Sequence, residues 1–153
     1  MSPTITTKPL AVVRTPFVEN GGRLSPDGRW IAYTSNESGT REVYVQSFPA
    51  SSNKWKVSNN GGSSPQWRRD GKELFYAGVS GYNIMSVSIT AQKSPGQIEV
   101  GIPQLLVRAR IAGAFGVTPD GQSFLINGRD ADSAELSALT VTVNWAAALG
   151  ARK

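Results

Sequence analysis

The sequence of 153 residues predicts an all-β fold in a single domain, built from repeated units of short strands. Glycine and proline number 16 and 9, and together they exceed average usage in a chain without long apolar runs, so turns must be frequent. Asp-Gly steps recur at Asp27, Asp70 and Asp120, 43 and 50 residues apart, and a short apolar run follows each. A period of roughly 40–50 residues is typical of propellers and other repeat arrays.

Each Asp-Gly step predicts a chain reversal between two strands, A and B. In Ser25–Gly28 and Thr118–Gly121, proline pre-sets φ early in the turn and glycine takes the left-handed conformation. Arg68–Gly71 keeps the Asp-Gly half and lacks the proline. We interpret the three aspartates as turn formers and not as metal ligands or catalytic groups.

The remaining strands complete a four-stranded unit. Strand B is an apolar run without alternation, which indicates burial on both faces; strand C is richer in β-branched residues, and strand D is brief. The predicted B strands are Trp30–Tyr33, Leu74–Ala77 and Phe124–Ile126; the C strands are Glu42–Gln46, Ile84–Ile89 and Leu139–Trp145; the D strands are Trp55–Val57 and Leu105–Arg108. The third unit has no D strand, whereas Pro9–Arg14 echoes the stretch before Arg108 and has no unit of its own.

These strands predict one half-propeller domain. Its predicted parts are an outer strand closing a neighbouring blade (8–17), blade 1 (20–58), blade 2 (63–110), blade 3 without its outer strand (113–145) and a tail (146–153). A two-sheet sandwich with an irregular repeat is the alternative.

Three stretches resemble the WD40-like repeat of TolB-type β-propellers: "LSPDGRWIAYTSNESGTREVYVQSFP", "SSPQWRRDGKELFYAG" and "VTPDGQSFLING". The likeness runs from about residue 8 to residue 149, although the Gly-His and Trp-Asp pairs of true WD40 repeats are absent. It implies the C-terminal half of a six-bladed bacterial propeller, with four-stranded antiparallel blades. We therefore expect a second copy of the chain to complete the ring by strand exchange, through Leu10, Val12, Val13, Leu139, Val141 and Val143. A larger closed ring and an open fragment of a longer propeller are the alternatives.

Composition narrows the chemistry. The chain has no histidine and no cysteine, so it cannot supply a Ser-His-Asp triad or a His- or Cys-ligated metal site by itself. We predict no enzyme activity, cofactor or metal.

The net charge is +5, but the basic residues are scattered, which makes nucleic-acid binding only an alternative. No apolar run is long enough to span a membrane, and no signal peptide is visible. The compartment stays open: cytoplasmic if Met1 is the natural start, periplasmic or extracytoplasmic if the chain is part of a larger protein.

The predicted function is a scaffold that binds a protein or a small ligand on one face of the ring or at its channel. Loops on a rigid scaffold are where binding usually resides. On one face the sequence predicts D–A loops at 18–22, 59–64 and 110–113, and B–C loops at 36–41, 78–82 and 129–138. The candidate ligand-binding residues near the channel are Glu19, Asn20, Arg23, Asn60 and Gln66. A carboxylate-dependent hydrolase or lyase is a further alternative.

Overall fold

The structure, a computed structural model, describes residues 11–49, 53–78, 83–108, 111, 115–128 and 138–143, the last range as backbone only. Within these residues twelve strands form three antiparallel sheets. The part of the chain that is described contains no helix long and apolar enough to cross a bilayer.

The three sheets follow one another along the chain, and we name them blades. Blade 1 comprises β1 (Glu19–Leu24), β2 (Trp30–Ser35), β3 (Glu42–Ser47) and β4 (Lys54–Lys56). Blade 2 comprises β5 (Gly62–Trp67), β6 (Glu73–Gly78), β7 (Asn83–Ala91), β8 (Ile98–Val100) and β9 (Gln104–Arg108). Blade 3 comprises β10 (Phe115–Val117), β11 (Ser123–Gly128) and β12 (Ala138–Val143). Neighbouring strands in each blade are consecutive in sequence except at β9, so the predicted A-B-C-D order holds with one addition.

The addition is β8, which the sequence did not predict. The long strand β7 pairs with β9 through Asn83–Ser86 and with β8 through Ile89–Ala91. Ile98 of β8 is 5% exposed and joins the core between blades 1 and 2. The hairpin also touches blade 1 directly, because the Asn53 side-chain amide donates a hydrogen bond of 2.9 Å to the carbonyl of Gly96.

Two apolar clusters join the blades. The first lies between blades 1 and 2 and includes Trp30, Val45, Leu74 and Tyr76. The second lies between blades 2 and 3 and includes Phe75 and Phe124, whose rings meet edge to face with centroids 5.2 Å apart. Adjacent residues of β6 thus face opposite blades, which confirms that this strand is buried on both sides. The first strands also lie together, since β5 contacts β1 on one side and β10 on the other.

The first strands of blades 1 and 2 begin earlier than predicted. Residues 19–22 and 62–64 were assigned to D–A loops, but they lie in β1 and β5. Both strands have a bulge at the same place, where Gly21 (φ 65°) and Ser64 (φ 55°) take left-handed conformations. A bulge adds a residue while pairing resumes on both sides, so a Gly-Gly pair that looks like a loop fits inside a strand.

The predicted outer strand, 8–17, lies only partly within the described residues. Ala11 to Val18 belong to no strand in this single chain, and the backbone N–H of Val18 donates to the Asn36 side chain at 2.9 Å. Val12 and Val13 are half-buried. Leu10 and residues 144–153 lie outside the described residues, as do the side chains of Leu139, Val141 and Val143. Pairing of this segment with a neighbouring chain stays a prediction.

Candidate functional site

The predicted loop face contains a cleft between blades 1 and 2. Its volume is about 680 Å³, within the range of small-molecule pockets. The B–C loop of blade 1, the connection from β4 to β5 and the end of β6 meet there, as the strand order requires. The described lining residues are Thr40, Arg41, Glu42, Lys56, Asn59, Asn60, Gly61, Gly62, Ser63 and Gly78.

The wall of this cleft holds a buried carboxylate. Glu42 is 3% exposed, and its Oε2 accepts a hydrogen bond from the Ser58 hydroxyl. Ser58, itself fully buried, accepts in turn from the backbone N–H of Val43 at 2.8 Å. The second carboxylate oxygen, Oε1, lies 4.0 Å from Nζ of Lys56. A buried charge requires such partners, and the carboxylate also contributes, after burial itself, to raising the pKa of Tyr76 to about 12.

The connection above Glu42 approaches it closely. A Cβ on Gly62 would lie 2.7 Å from both Cβ and Oγ of Ser58 and 3.0 Å from the Tyr76 ring, so only glycine fits there. The backbone N–H of Gly62 donates to the carbonyl of Arg41 at 2.9 Å. Asn60 and Gly61 precede it with φ of 65° and 97°. The hydrogen bond to Arg41 ties the loop to blade 1, and the Asn59 and Asn60 side chains are exposed beside the cleft.

The charged side chains that are exposed at the cleft are positive. The Lys56 side chain is 44% exposed, and Arg41 is exposed at the edge of the loop. Among the described residues the Arg41 guanidinium takes part in no ion pair. Since Glu42, the one carboxylate of the described lining, is buried and hydrogen-bonded, the described groups that solvent meets are two cations, amides and hydroxyls.

The predicted site residues fall into two places. Asn60 lines the cleft, whereas Arg23 and Gln66 occupy equivalent positions on β1 and β5, two residues after the matching bulges. The two strands are joined there, because the Trp67 indole donates to the carbonyl of Arg23 at 3.0 Å. Asn20 is exposed, and Glu19 is half-buried where its carboxylate accepts from the Thr15 hydroxyl.

The Glu42–Ser58 pair was not among the predicted site residues. Glu42 was assigned only to a C strand, and Ser58 follows a D strand sixteen residues later. Their contact arises because β3 and β4 pair, with Tyr44 opposite Lys56. The signal that could have found them is a glutamate directly before the apolar run Val43–Val45, because glutamate is unusual at a buried position.

The aspartates of the A–B turns lie on the opposite face and form the turns, as predicted. Gly28, Gly71 and Gly121 have φ of 69°, 71° and 74°, and each glycine N–H donates to the carbonyl three residues before it at 2.8–2.9 Å. Ser25 and Thr118 donate hydroxyl hydrogen bonds to their aspartates at 2.6 and 2.5 Å.

In blade 2 the residue that corresponds to Ser25 and Thr118, two positions before the aspartate, is Arg68. Arg68 donates from Nε and Nη2 to the two oxygens of Asp70, both at 2.8 Å, and from Nη1 to Glu73 at 2.6 Å. The hydrogen bond from Arg68 is the main cause that lowers the pKa of Asp70 to about 2. For Asp120 the main cause of the lowered pKa is the Thr118 hydroxyl. Burial, the largest single influence on the pKa of Asp27, raises it, but hydrogen bonds from Ser25 and Arg29 outweigh burial and lower it overall.

A second cleft, of about 580 Å³, lies beside these turns. Its two carboxylates, Asp27 and Asp70, already accept hydrogen bonds within their own turns. The loop-face cleft is therefore the better candidate for binding.

Consecutive antiparallel blades, arranged with their first strands side by side, define a β-propeller scaffold. Two solved structures of such proteins resemble this chain. TolB from Acinetobacter baumannii superposes with a TM-score of 0.58 and 19% identity over 80% of this chain and 29% of its own. An oligogalacturonate lyase from Vibrio parahaemolyticus gives a TM-score of 0.55 and 12% identity over 80% of this chain and 34% of its own.

At these identities the likeness concerns the fold, and the chain spans about a third of the length of the structures it matches. No protein-family model matches the sequence. A comparison with curated protein sequences likewise finds no match. The TolB-like propeller fold expected from the repeats is thus confirmed, and the number of blades in the complete ring stays a prediction.

Proposed function

We propose that the chain is a non-catalytic propeller scaffold that associates with a second copy to close a six-bladed ring, and that it binds a ligand on the loop face. The proposal is supported by a difference in burial between the two sides of β11, the middle strand of blade 3. In this description the rear face of a blade is the side turned toward the next blade in sequence.

In the part of the chain that the structure describes, the rear face of β11 has no blade packed on it. Phe124 and Ile126 point toward blade 2 and are buried, but Leu125 is 44% exposed and Asn127 is exposed. The equivalent rear residues of β6, Phe75 and Ala77, are buried against blade 3. A fourth blade on the rear of β11 would bury Leu125 in the same way, and propellers close with about four to eight blades.

The partner surface would lie at the start of the chain. Leu24 of β1 is 52% exposed, while Tyr33 on the same blade is already buried at 3%. The interface between two chains would therefore use the exposed strand β1 more than β2, which holds Tyr33. A twofold dimer would bring each open end against the other, and both interfaces would be identical.

Light scattering coupled to size exclusion tests this assembly. At micromolar concentration we expect about 33 kDa, twice the chain mass of 16.3 kDa. Leu125→Asp should shift the mass to that of one chain, because it places a charge in the new core. Ile102→Asp is the matched control: Ile102 is 85% exposed and lies just before β9 in blade 2, not on the rear of blade 3, so the mass should not change. A wild-type protein that elutes monodisperse at 16.3 kDa would refute the ring.

A further inference from the structure

We propose that the loop-face cleft between blades 1 and 2 binds a small organic carboxylate that carries hydroxyl or amide groups. The inference rests on the ligand-binding half of the proposed function. It does not require a closed ring, because every described lining residue belongs to one chain.

The charge of the cleft carries the first step. Its described lining has one carboxylate, Glu42, and two cations, Arg41 and Lys56. The carboxylate is fixed in the wall by Ser58 and stands 4.0 Å from Lys56, so it offsets part of one positive charge. The remaining positive charge, on Arg41 and Lys56, faces solvent and would attract a carboxylate.

The identity of the donors carries the second step. A guanidinium presents a planar fork of N–H groups that matches a carboxylate, and hydrogen bonds between charged groups are about twice as strong as neutral ones. Arg41 has this fork without an ion-pair partner among the described residues. Lys56 supplies a second positive charge, 4.0 Å from Oε1 of Glu42 and 44% exposed.

The rest of the lining favours a polar ligand body. Asn59 and Asn60 carry amides that both donate and accept, and Thr40 and Ser63 carry hydroxyls. The described lining includes no large apolar side chain. A volume of about 680 Å³ accommodates a ligand with several such groups besides its carboxylate.

Titration calorimetry at low ionic strength tests the proposal with two matched pairs of probes. The carboxylates are N-acetylglycylglycine and gluconate; the uncharged counterparts are N-acetylglycylglycinamide and sorbitol. We expect binding of a carboxylate and none of its neutral counterpart, with weaker binding at high salt because both cations are exposed. The pair that binds identifies whether the carboxylate is of the peptide or the polyhydroxy type. Failure of both carboxylates to bind would overturn the proposal.

Substitutions in the cleft give effects of opposite sign. Arg41→Gln and Lys56→Gln should each weaken binding about tenfold, the loss of one charge-assisted hydrogen bond. Glu42→Gln, an isosteric change, should strengthen it, because Lys56 then faces the ligand without a competing carboxylate. Arg29→Gln is the control: Arg29 is exposed on the opposite face, where it pairs with Asp27, and binding should be unchanged.

A different pattern would contradict the proposal. If Glu42→Gln abolishes carboxylate binding while its melting temperature stays at the wild-type value, Glu42 holds the ligand and does not compete with it, contrary to the proposal. If glycinamide binds in place of the carboxylates, the cleft selects cations. Arg41→Gln and Lys56→Gln alter exposed side chains, so their result stands even if Glu42→Gln does not fold. The mass measurement separates the two proposals: a monomer that binds carboxylate refutes only the ring, and a dimer that does not bind refutes only this site.

Discussion

In blades 1 and 3 a hydroxyl precedes the A–B aspartate by two residues, whereas in blade 2 a guanidinium does. The backbone is nevertheless the same: each turn closes with a glycine near φ 70° and a hydrogen bond across four residues. In all three turns the aspartate also accepts from the backbone N–H two residues after it, at 3.0–3.1 Å. The aspartate needs a donor at that side-chain position, and a short neutral donor or a long charged one can supply it.

The comparison also explains the missing proline of blade 2. The backbone N–H of Arg69 donates a hydrogen bond of 3.0 Å to the carbonyl of Pro119 in the turn of blade 3. Proline has no N–H, so a proline at position 69 would remove a link between two blades. Pro26 and Pro119 occupy the corresponding positions in the other turns. This hydrogen bond to blade 3 therefore accounts for the absence of proline from the turn of blade 2.

The largest expected effect is on the free energy of unfolding, and it differs among alanine variants of the three turn glycines. A Cβ on Gly121 would lie 2.9 Å from the Phe75 ring and 3.0 Å from Cδ of Arg68, whereas a Cβ on Gly28 would meet nothing within 4 Å. Gly121→Ala should lower the free energy of unfolding by about 3 kcal/mol, from left-handed strain and overpacking together. Gly28→Ala and Gly71→Ala should each lower it by about 1 kcal/mol, from strain alone.

Urea unfolding of the three variants measures these values. Gly28→Ala and Gly71→Ala act as the controls for Gly121→Ala, because all three glycines have the same sign and size of φ. Equal losses in all three variants would mean that crowding of the new Cβ against Phe75 and Arg68 does not destabilise Gly121→Ala.

A smaller effect is expected for Arg69→Pro. This change makes the turn of blade 2 resemble the other two, yet we expect a loss of about 1 kcal/mol in the free energy of unfolding, the value of one backbone hydrogen bond. Arg69→Ala keeps the N–H and should stay within about 0.5 kcal/mol of wild type, as exposed substitutions usually do. If Arg69→Pro melts at or above the wild-type temperature, the bond to Pro119 does not join the blades.

The smallest effect concerns the pH dependence of Asp70. Its pKa in the folded chain is about 2, below its ordinary value, so the stabilisation is complete above about pH 5 and is lost as the pH falls toward 2. Because the Asp70 side chain is 45% exposed, solvent screening limits the contribution to less than about 1 kcal/mol. Asp70→Asn should therefore be slightly less stable than wild type at pH 7 and equal to it near pH 2.

Salt distinguishes the two kinds of turn in the same experiment. Asp70 bonds to a cation, so added salt should reduce the effect of Asp70→Asn. Asp120 bonds to the Thr118 hydroxyl, and the effect of Asp120→Asn should not change with salt. A salt-independent loss in Asp70→Asn would show that the guanidinium acts only as a neutral donor would.

Much of this architecture could be predicted because local chemistry determines it. The Asp-Gly turns depend on residues within four positions of one another, and β2, β6 and β11 follow them as short apolar runs. The bulges in β1 and β5 could not be predicted in this way. A Gly-Gly pair after Asn20 is typical of a loop, and only the pairing of Asn20 with Thr34 and of Arg23 with Ala32 shows that the strand continues through it.

The cleft was predictable as a place but not as a site. The order of strands brings the loops after β2 and β4 to one face, so Asn60 and Arg41 could be expected there. The buried position of Glu42 could not, because burial depends on the approach of Ser58, in the connection after β4, and of Gly62, at the start of β5. The β8 strand, Ile98–Val100, escaped prediction because it has no counterpart in the four strands of blade 1.

The double pairing of β7 has a consequence for how the chain opens. One continuous strand holds β8 against the core beside blade 1 and β9 at the outer edge of blade 2, and the Asn53–Gly96 hydrogen bond ties the β7–β8 hairpin to blade 1. Blades 1 and 2 should thus exchange their backbone amide hydrogens as one cooperative unit. The two blades would then detach from each other only in global unfolding, as if they were a single folding module in spite of their separate sheets.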